Sequence, residues 1–100
     1  MITQQNIIDD LQNNLENYKK KYKLNQLGIF GSFARNEANE ESDIDIIVEF
    51  DDDAIDIFHI KKAFKSELQN KFNRKVDICS KKWIKPLFRN FILNETIYVE

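Results

Sequence analysis

Glycine, proline and cysteine are nearly missing from this 100-residue chain, which holds two, one and one of them. The lone cysteine, Cys79, excludes an internal disulfide and any metal site built from several thiolates. It stands in an apolar stretch and reads as a small buried hydrophobe. The lone histidine, His59, has no partner motif around it and reads as a surface or packing residue. No apolar run approaches the roughly 18 residues of a membrane-spanning helix. Met1-Ile2-Thr3-Gln4-Gln5 lacks the charged and apolar regions of a signal peptide, so a cytoplasmic protein is expected. An excess of one charge is missing too. With a net charge of −2 and a pI near 5.4, the chain has no general attraction for DNA or RNA, and direct nucleic-acid binding is not expected. The same balance suits docking to a basic protein. Repeats, low-complexity tracts and linkers are absent, and 42 % hydrophobic residues with eight Phe suffice for one domain spanning residues 1–100.

With glycine so scarce, the position of each one carries information. Leu27 to Phe30 is an apolar run that ends in Gly31-Ser32, and eleven residues after Ser32 comes Asp43-Ile44-Asp45. The latter opens a second apolar run ending at Phe50. A strand has a side-chain period of two, so Asp43 and Asp45 share one face with Cα atoms about 6.5–7 Å apart. Ile44, Ile46, Val48 and Phe50 take the other face and can be buried. Two neighbouring carboxylates repel and raise one pKa unless a cation lies between them. Carboxylate oxygens suit Mg²⁺, which shares its coordination shell with substrate phosphates. Gly31-Ser32, at a strand-to-helix turn, offers backbone N–H groups to a phosphate. Read separately, Gly-Ser is an ordinary turn and Asp-Ile-Asp a solvated strand edge. Read together, they are the apparatus of phosphoryl or nucleotidyl transfer.

These residues resemble the minimal nucleotidyltransferases of the DNA polymerase β-like superfamily. The resemblance rests on Gly-Ser-x-Ala-Arg followed by Ser-Asp-x-Asp, matched here by Gly31, Ser32, Ala34, Arg35, Ser42, Asp43 and Asp45, with a third carboxylate, Asp77, in Lys75-Val76-Asp77-Ile78-Cys79. It extends over nearly the whole chain, to Thr96-Ile97-Tyr98. Asn36 departs from the glycine that many relatives carry after Ala-Arg, although Asn tolerates positive φ. The resemblance implies a small mixed α/β (α+β) fold with about three strands flanked by helices. It also implies an Mg²⁺-dependent antitoxin of a HEPN/MNT toxin–antitoxin pair, which transfers AMP from ATP to a tyrosine of a HEPN-type ribonuclease toxin. In that scheme Asp43, Asp45 and Asp77 hold metal and are catalytic, while Gly31, Ser32, Arg35 and Ser42 bind nucleotide. Arg35 can equally pair with a core carboxylate. Two other readings stand beside this one: an antitoxin that neutralises by binding alone, and a nucleotidyltransferase acting on a small molecule. The latter normally needs a further domain, for which 100 residues leave no room.

Along the chain, Thr3 is expected to cap one helix reaching about Tyr22, with Ile7, Ile8, Leu11, Leu15, Tyr18 and Tyr22 on one face and Lys19-Lys20-Lys21 in its last turn. A strand around Ile29-Phe30, a short helix from Phe33 to about Ala38, and a polar loop from Asn39 to Ser42 follow. Asp43 to Phe50 is the second strand. Asp51-Asp52-Asp53 is a solvated turn that also favours the N-terminus of a helix from about Ile55 to Phe72, which buries Ile57, Ile60, Phe64, Leu68 and Phe72. Lys75 to Cys79 is the third strand. If it lies beside the second, Asp77 can join Asp43 and Asp45. Pro86 suits the first turn of a last helix carrying Leu87, Phe88, Phe91 and Ile92. Trp83, Phe88 and Phe91 read as core or as partner surface.

Overall fold

The computed structural model describes residues 2–100. Thr3 does cap the first helix: its hydroxyl accepts from the Asn6 N–H while the Asn6 side chain accepts from the Thr3 N–H. The single expected helix is two, α1 (Gln4–Asn13) and α2 (Leu15–Tyr22). Asn14 divides them, with its side-chain amide donating to the Asp10 carbonyl at 2.9 Å, a local bond that competes with the helical ladder. Ile7, Leu11, Leu15, Tyr18 and Tyr22 remain on one buried face across the break. Lys23 closes α2 in the left-handed region, at φ 56°.

Strand β1 (Leu24–Phe30) leads into the four-residue helix α3 (Gly31–Ala34), which starts two residues earlier and ends sooner than expected. The turn after it is closed by Asn36 at φ 60°, the conformation for which Asn is suited. Strand β2 (Ile44–Phe50) follows, then α4 (Ile57–Phe72), β3 (Val76–Ser80), a 3₁₀ turn (Lys81–Trp83), α5 (Pro86–Glu95) and β4 (Ile97–Tyr98). Helix α4 begins two residues later than expected, after Asp56 at φ 58°, and has no acidic residue in its first turn. The Asp51–Asp53 run is therefore a turn and does not serve the helix dipole.

Four strands form one sheet in the order β3-β2-β1-β4, one strand more than the sequence led us to expect. Strand β1 is antiparallel to both β2 and β4, and β3 is parallel to β2. The two-residue strand β4 is short enough to escape periodicity. Gly28 makes its close approach possible, because a Cβ there would stand 2.8 Å from the Ile97 carbonyl oxygen. One face of the sheet carries Leu27, Ile29, Ile44, Ile46, Val48, Val76 and Ile78 into a core shared with α1, α2 and α4. Phe64 and Leu68 are the buried anchors of α4, while Ile57, Ile60 and Phe72 are partly buried against the same core. No described helix is long and apolar enough to cross a membrane.

Candidate active site

The alternation of β2 decides which side chains lie on each face. Ile44, Ile46, Val48 and Phe50 are buried as expected, so Asp45 emerges on the opposite face. Register then aligns three strands at one end of the sheet. Phe30, the last residue of β1, stands opposite Asp45, and Asp45 stands beside Asp77 of β3. Thus the Gly31 turn, Asp45 and Asp77 form a row across neighbouring strands, each about 4.8 Å from the next. Asp43 lies just outside β2, with Lys75 Nζ 3.6 Å from its Oδ2.

Gly31 is fixed by this crowding. Its φ is 73°, and a Cβ there would collide with Asp45 Oδ2 and lie 3.0 Å from the same residue's Cγ. Only glycine meets both demands. Ser32 follows it, half-buried, and its hydroxyl has no hydrogen-bond partner among the described residues. Ser42 is placed differently: its Oγ accepts from the Asn39 N–H at 2.9 Å and closes the loop before Asp43. Arg74 holds that loop from outside, donating to the Asn39 and Ser42 carbonyls, each at 2.8 Å.

Electrostatics single out Asp45. Burial is the largest cause raising its pKa, reinforced by Asp77, Asp43 and Glu95 and opposed by Arg35, so the carboxyl is pushed up to about 6. Burial contributes most, and Asp77 on the neighbouring strand contributes more than Asp43 on the same face. Among the described residues no three carboxylates converge into a coordination sphere. A Mg²⁺ ion does not require that, since one or two carboxylates with water and substrate phosphate satisfy it. The all-oxygen donor set and the raised pKa of Asp45 fit such an ion, which Asp43 and Asp45 could hold with Asp77 beside them.

The sequence did not point to Glu95. From the last residue of α5 its carboxylate accepts from the Gly31 N–H at 2.9 Å and from Arg35 Nη1 at 2.8 Å. Arg35 also donates from Nε to Glu37 at 3.2 Å. Of the two uses open to Arg35, carboxylate pairing is the one seen. The only available signal was position, because Glu95 directly precedes the Thr96-Ile97-Tyr98 segment. A cleft of about 360 Å³ opens at Asp77, lined by Phe58, Lys61, Lys62, Lys65 and Ile78.

Of the remaining residues, His59 is exposed, paired with Asp56 at 2.7 Å and edge-on to the Phe58 ring. Cys79 is half-buried rather than buried, with its thiol pKa raised by desolvation. Trp83, Leu87, Phe88 and Phe91 do not enter the core: they are 74 %, 84 %, 50 % and 65 % exposed.

Residues 11–99 match the nucleotidyltransferase domain family. The chain is 30 % identical over 101 residues to the protein adenylyltransferase MntA of Thermococcus cleftensis, covering 99 % of this chain and 98 % of that one. Among solved structures it is similar to a candidate minimal nucleotidyltransferase, with a TM-score of 0.78 and 25 % identity over 96 % of this chain and 95 % of the other. A likeness of fold, TM-score 0.62 at 17 % identity over 91 % of this chain and 70 % of the other, extends to the complex of tri-AMPylated Shewanella oneidensis HEPN toxin with MNT antitoxin.

Proposed function

This chain belongs to the nucleotidyltransferase domain family, and from that premise we propose that it moves AMP from ATP to a tyrosine hydroxyl of a HEPN-type toxin, acting in the cytoplasm as the antitoxin. The observation that carries the proposal is the row formed by the Gly31 turn, Asp45 and Asp77 at one end of the sheet, with Asp45 pushed to a pKa of about 6 by burial first and by its acidic neighbours second. Support for a protein acceptor comes from the relative named for protein adenylylation and from the AMPylated toxin in the fold-similar complex. An acceptor must be held in place to react efficiently, and in this reading the toxin brings its own docking surface.

Each residue has a part in this reading. The Ser32 hydroxyl and Arg35 hold the β- and γ-phosphates, and the Gly31 turn lets them approach. Ser42 acts through the loop it closes, keeping Asp43 in reach. Asp43 and Asp45 would hold Mg²⁺, which would supply charge neutralisation for the triphosphate during an in-line displacement. The tyrosine oxygen bonds to the α-phosphorus, the bond to the bridging oxygen of pyrophosphate breaks, and pyrophosphate leaves. In this reading Asp77, on the edge strand and lining the open cleft, orients the hydroxyl and takes its proton. A phenol with a pKa near 10 needs such help at neutral pH.

Intact-mass spectrometry of the toxin co-expressed with this protein tests the reading. A mass gain in whole AMP units that disappears with Asp45→Asn is the expected result. An unmodified toxin that is still neutralised by the Asp45→Asn variant would mean inhibition by binding alone.

A further inference from the structure

Glu95 bonds on two sides of the phosphate end of the site at once. Its Oε1 takes the Gly31 N–H and its Oε2 takes Arg35 Nη1, at 2.9 Å and 2.8 Å, from a side chain only 12 % exposed. Arg35 is therefore bracketed. Glu37 holds Nε, Glu95 holds Nη1, and Nη2 has no partner among the described residues. A guanidinium has five N–H donors in a rigid plane, so two carboxylates can fix that plane and leave donors for a third anion.

We propose that Glu95 is a positioning residue for the nucleotide: it fixes the Arg35 guanidinium so that the free Nη2 edge faces the triphosphate of ATP. The inference rests on the nucleotidyltransferase reading above. Arg35 is a long, flexible side chain, 39 % exposed, and close enough to the Asp45 carboxylate to lower that group's pKa. Without Glu95 only the longer, exposed Glu37 contact at 3.2 Å restrains it, and each nucleotide must then order the guanidinium anew. Glu95 is itself immobilised. It ends α5, where the Thr96 hydroxyl donates to the Ile92 carbonyl at 2.8 Å, and Ile97 next to it is paired with Ile29 of β1. The clamp therefore joins the C-terminal strand to the motif that begins at Gly31.

Glu95→Gln isolates the Arg35 arm, because an amide oxygen still accepts from the Gly31 N–H while the charge that holds the guanidinium is lost. The measurement is the Kd for ATP with Mg²⁺, without acceptor, by titration calorimetry on wild type, Glu95→Gln, Arg35→Ala and the double variant. The expected loss for Glu95→Gln is about tenfold, the effect of one rotamer-rich side chain that must be ordered on binding. In the Arg35→Ala background the same change should cost nothing more, because Glu95 acts through Arg35. With acceptor present, KM for ATP should rise while kcat holds. Arg35→Lys probes the clamp from the other side and keeps the Gly31–Glu95 bond. An ammonium has no rigid fork, so affinity should fall about as far. Unchanged or tighter binding by Glu95→Gln overturns the proposal, as does an equal loss with and without Arg35, or wild-type affinity in Arg35→Lys. A wild type that binds no ATP overturns the nucleotidyltransferase reading along with it.

Discussion

Replacing Asp45 by Asn should stabilise the metal-free protein while abolishing transfer. Asp45 is half-buried and has Asp77, Asp43 and Glu95 as acidic neighbours, and its pKa rises from 3.8 to about 6. A group whose folded pKa lies above its unfolded value binds more protons when folded, so stability falls as pH climbs from about 4 through 6. Above that window the full cost of ionising Asp45 is present. A shift of ~2 units corresponds to about 3 kcal/mol, which partial exposure to water reduces to about 1–2 kcal/mol. Asn keeps the shape that fits against Gly31 and removes the charge. Thermal melts in EDTA at pH 7.5 should therefore place the Tm of Asp45→Asn roughly 5–10 °C above wild type, given the size of the domain. At pH 5, where wild-type Asp45 is already largely protonated, the gap should narrow. Added Mg²⁺ should raise the wild type and not the variant. A gap that is the same at both pH values, or a variant less stable than wild type at pH 7.5, would refute the claim that a burdened Asp45 charge, buried and beside other carboxylates, is what a cation relieves.

Three further outcomes follow from particular contacts. Gly31→Ala must take a left-handed φ, costing about 1–2 kcal/mol, and also drives a Cβ into the Asp45 carboxylate; its Tm should fall and transfer should be lost. Lys23→Gly relieves the left-handed cap of α2 and should raise the free energy of unfolding by up to about 1 kcal/mol without touching activity, as chemical unfolding would report. Phe91→Ser replaces an exposed side chain on α5, so stability should stay within about 0.5 kcal/mol. If α5 meets the toxin, co-purification should weaken in that variant while ATP binding is kept.

What was legible in the sequence follows from locality. The face that Asp45 shares was readable because period-two alternation is a property of one strand: Ile44, Ile46, Val48 and Phe50 settle it among themselves. Asn36 was readable for the same reason, since a positive φ is a demand on one residue. The helix break was not. The apolar face runs unbroken from Ile7 to Tyr22, and only the side chain of Asn14 reaching back to Asp10 reveals that two helices share it. Nor does a helical stripe of Leu87, Phe88 and Phe91 say whether core or partner covers it, because both demand the same periodicity.

The site divides along the same line. Asp43, Asp45 and the Gly31 turn lie within fifteen residues of one another, and spacing was enough to group them. Asp77 could be grouped only on the condition that the third strand lies beside the second, a pairing that no local signal fixes. Parallel β2 and β3 meet the condition and put Asp77 level with Asp45. Glu95 lies 64 residues from Gly31 and 60 from Arg35, and in sequence it is one acidic residue among seventeen. Its partners come together because the antiparallel pairing of β4 with β1 brings the end of α5 against the start of α3. A carboxylate there, beside Asp45, adds repulsion to an acidic site that already has too much of it. A cluster kept at that cost needs a compensating role, and holding a guanidinium in place for an incoming triphosphate supplies one.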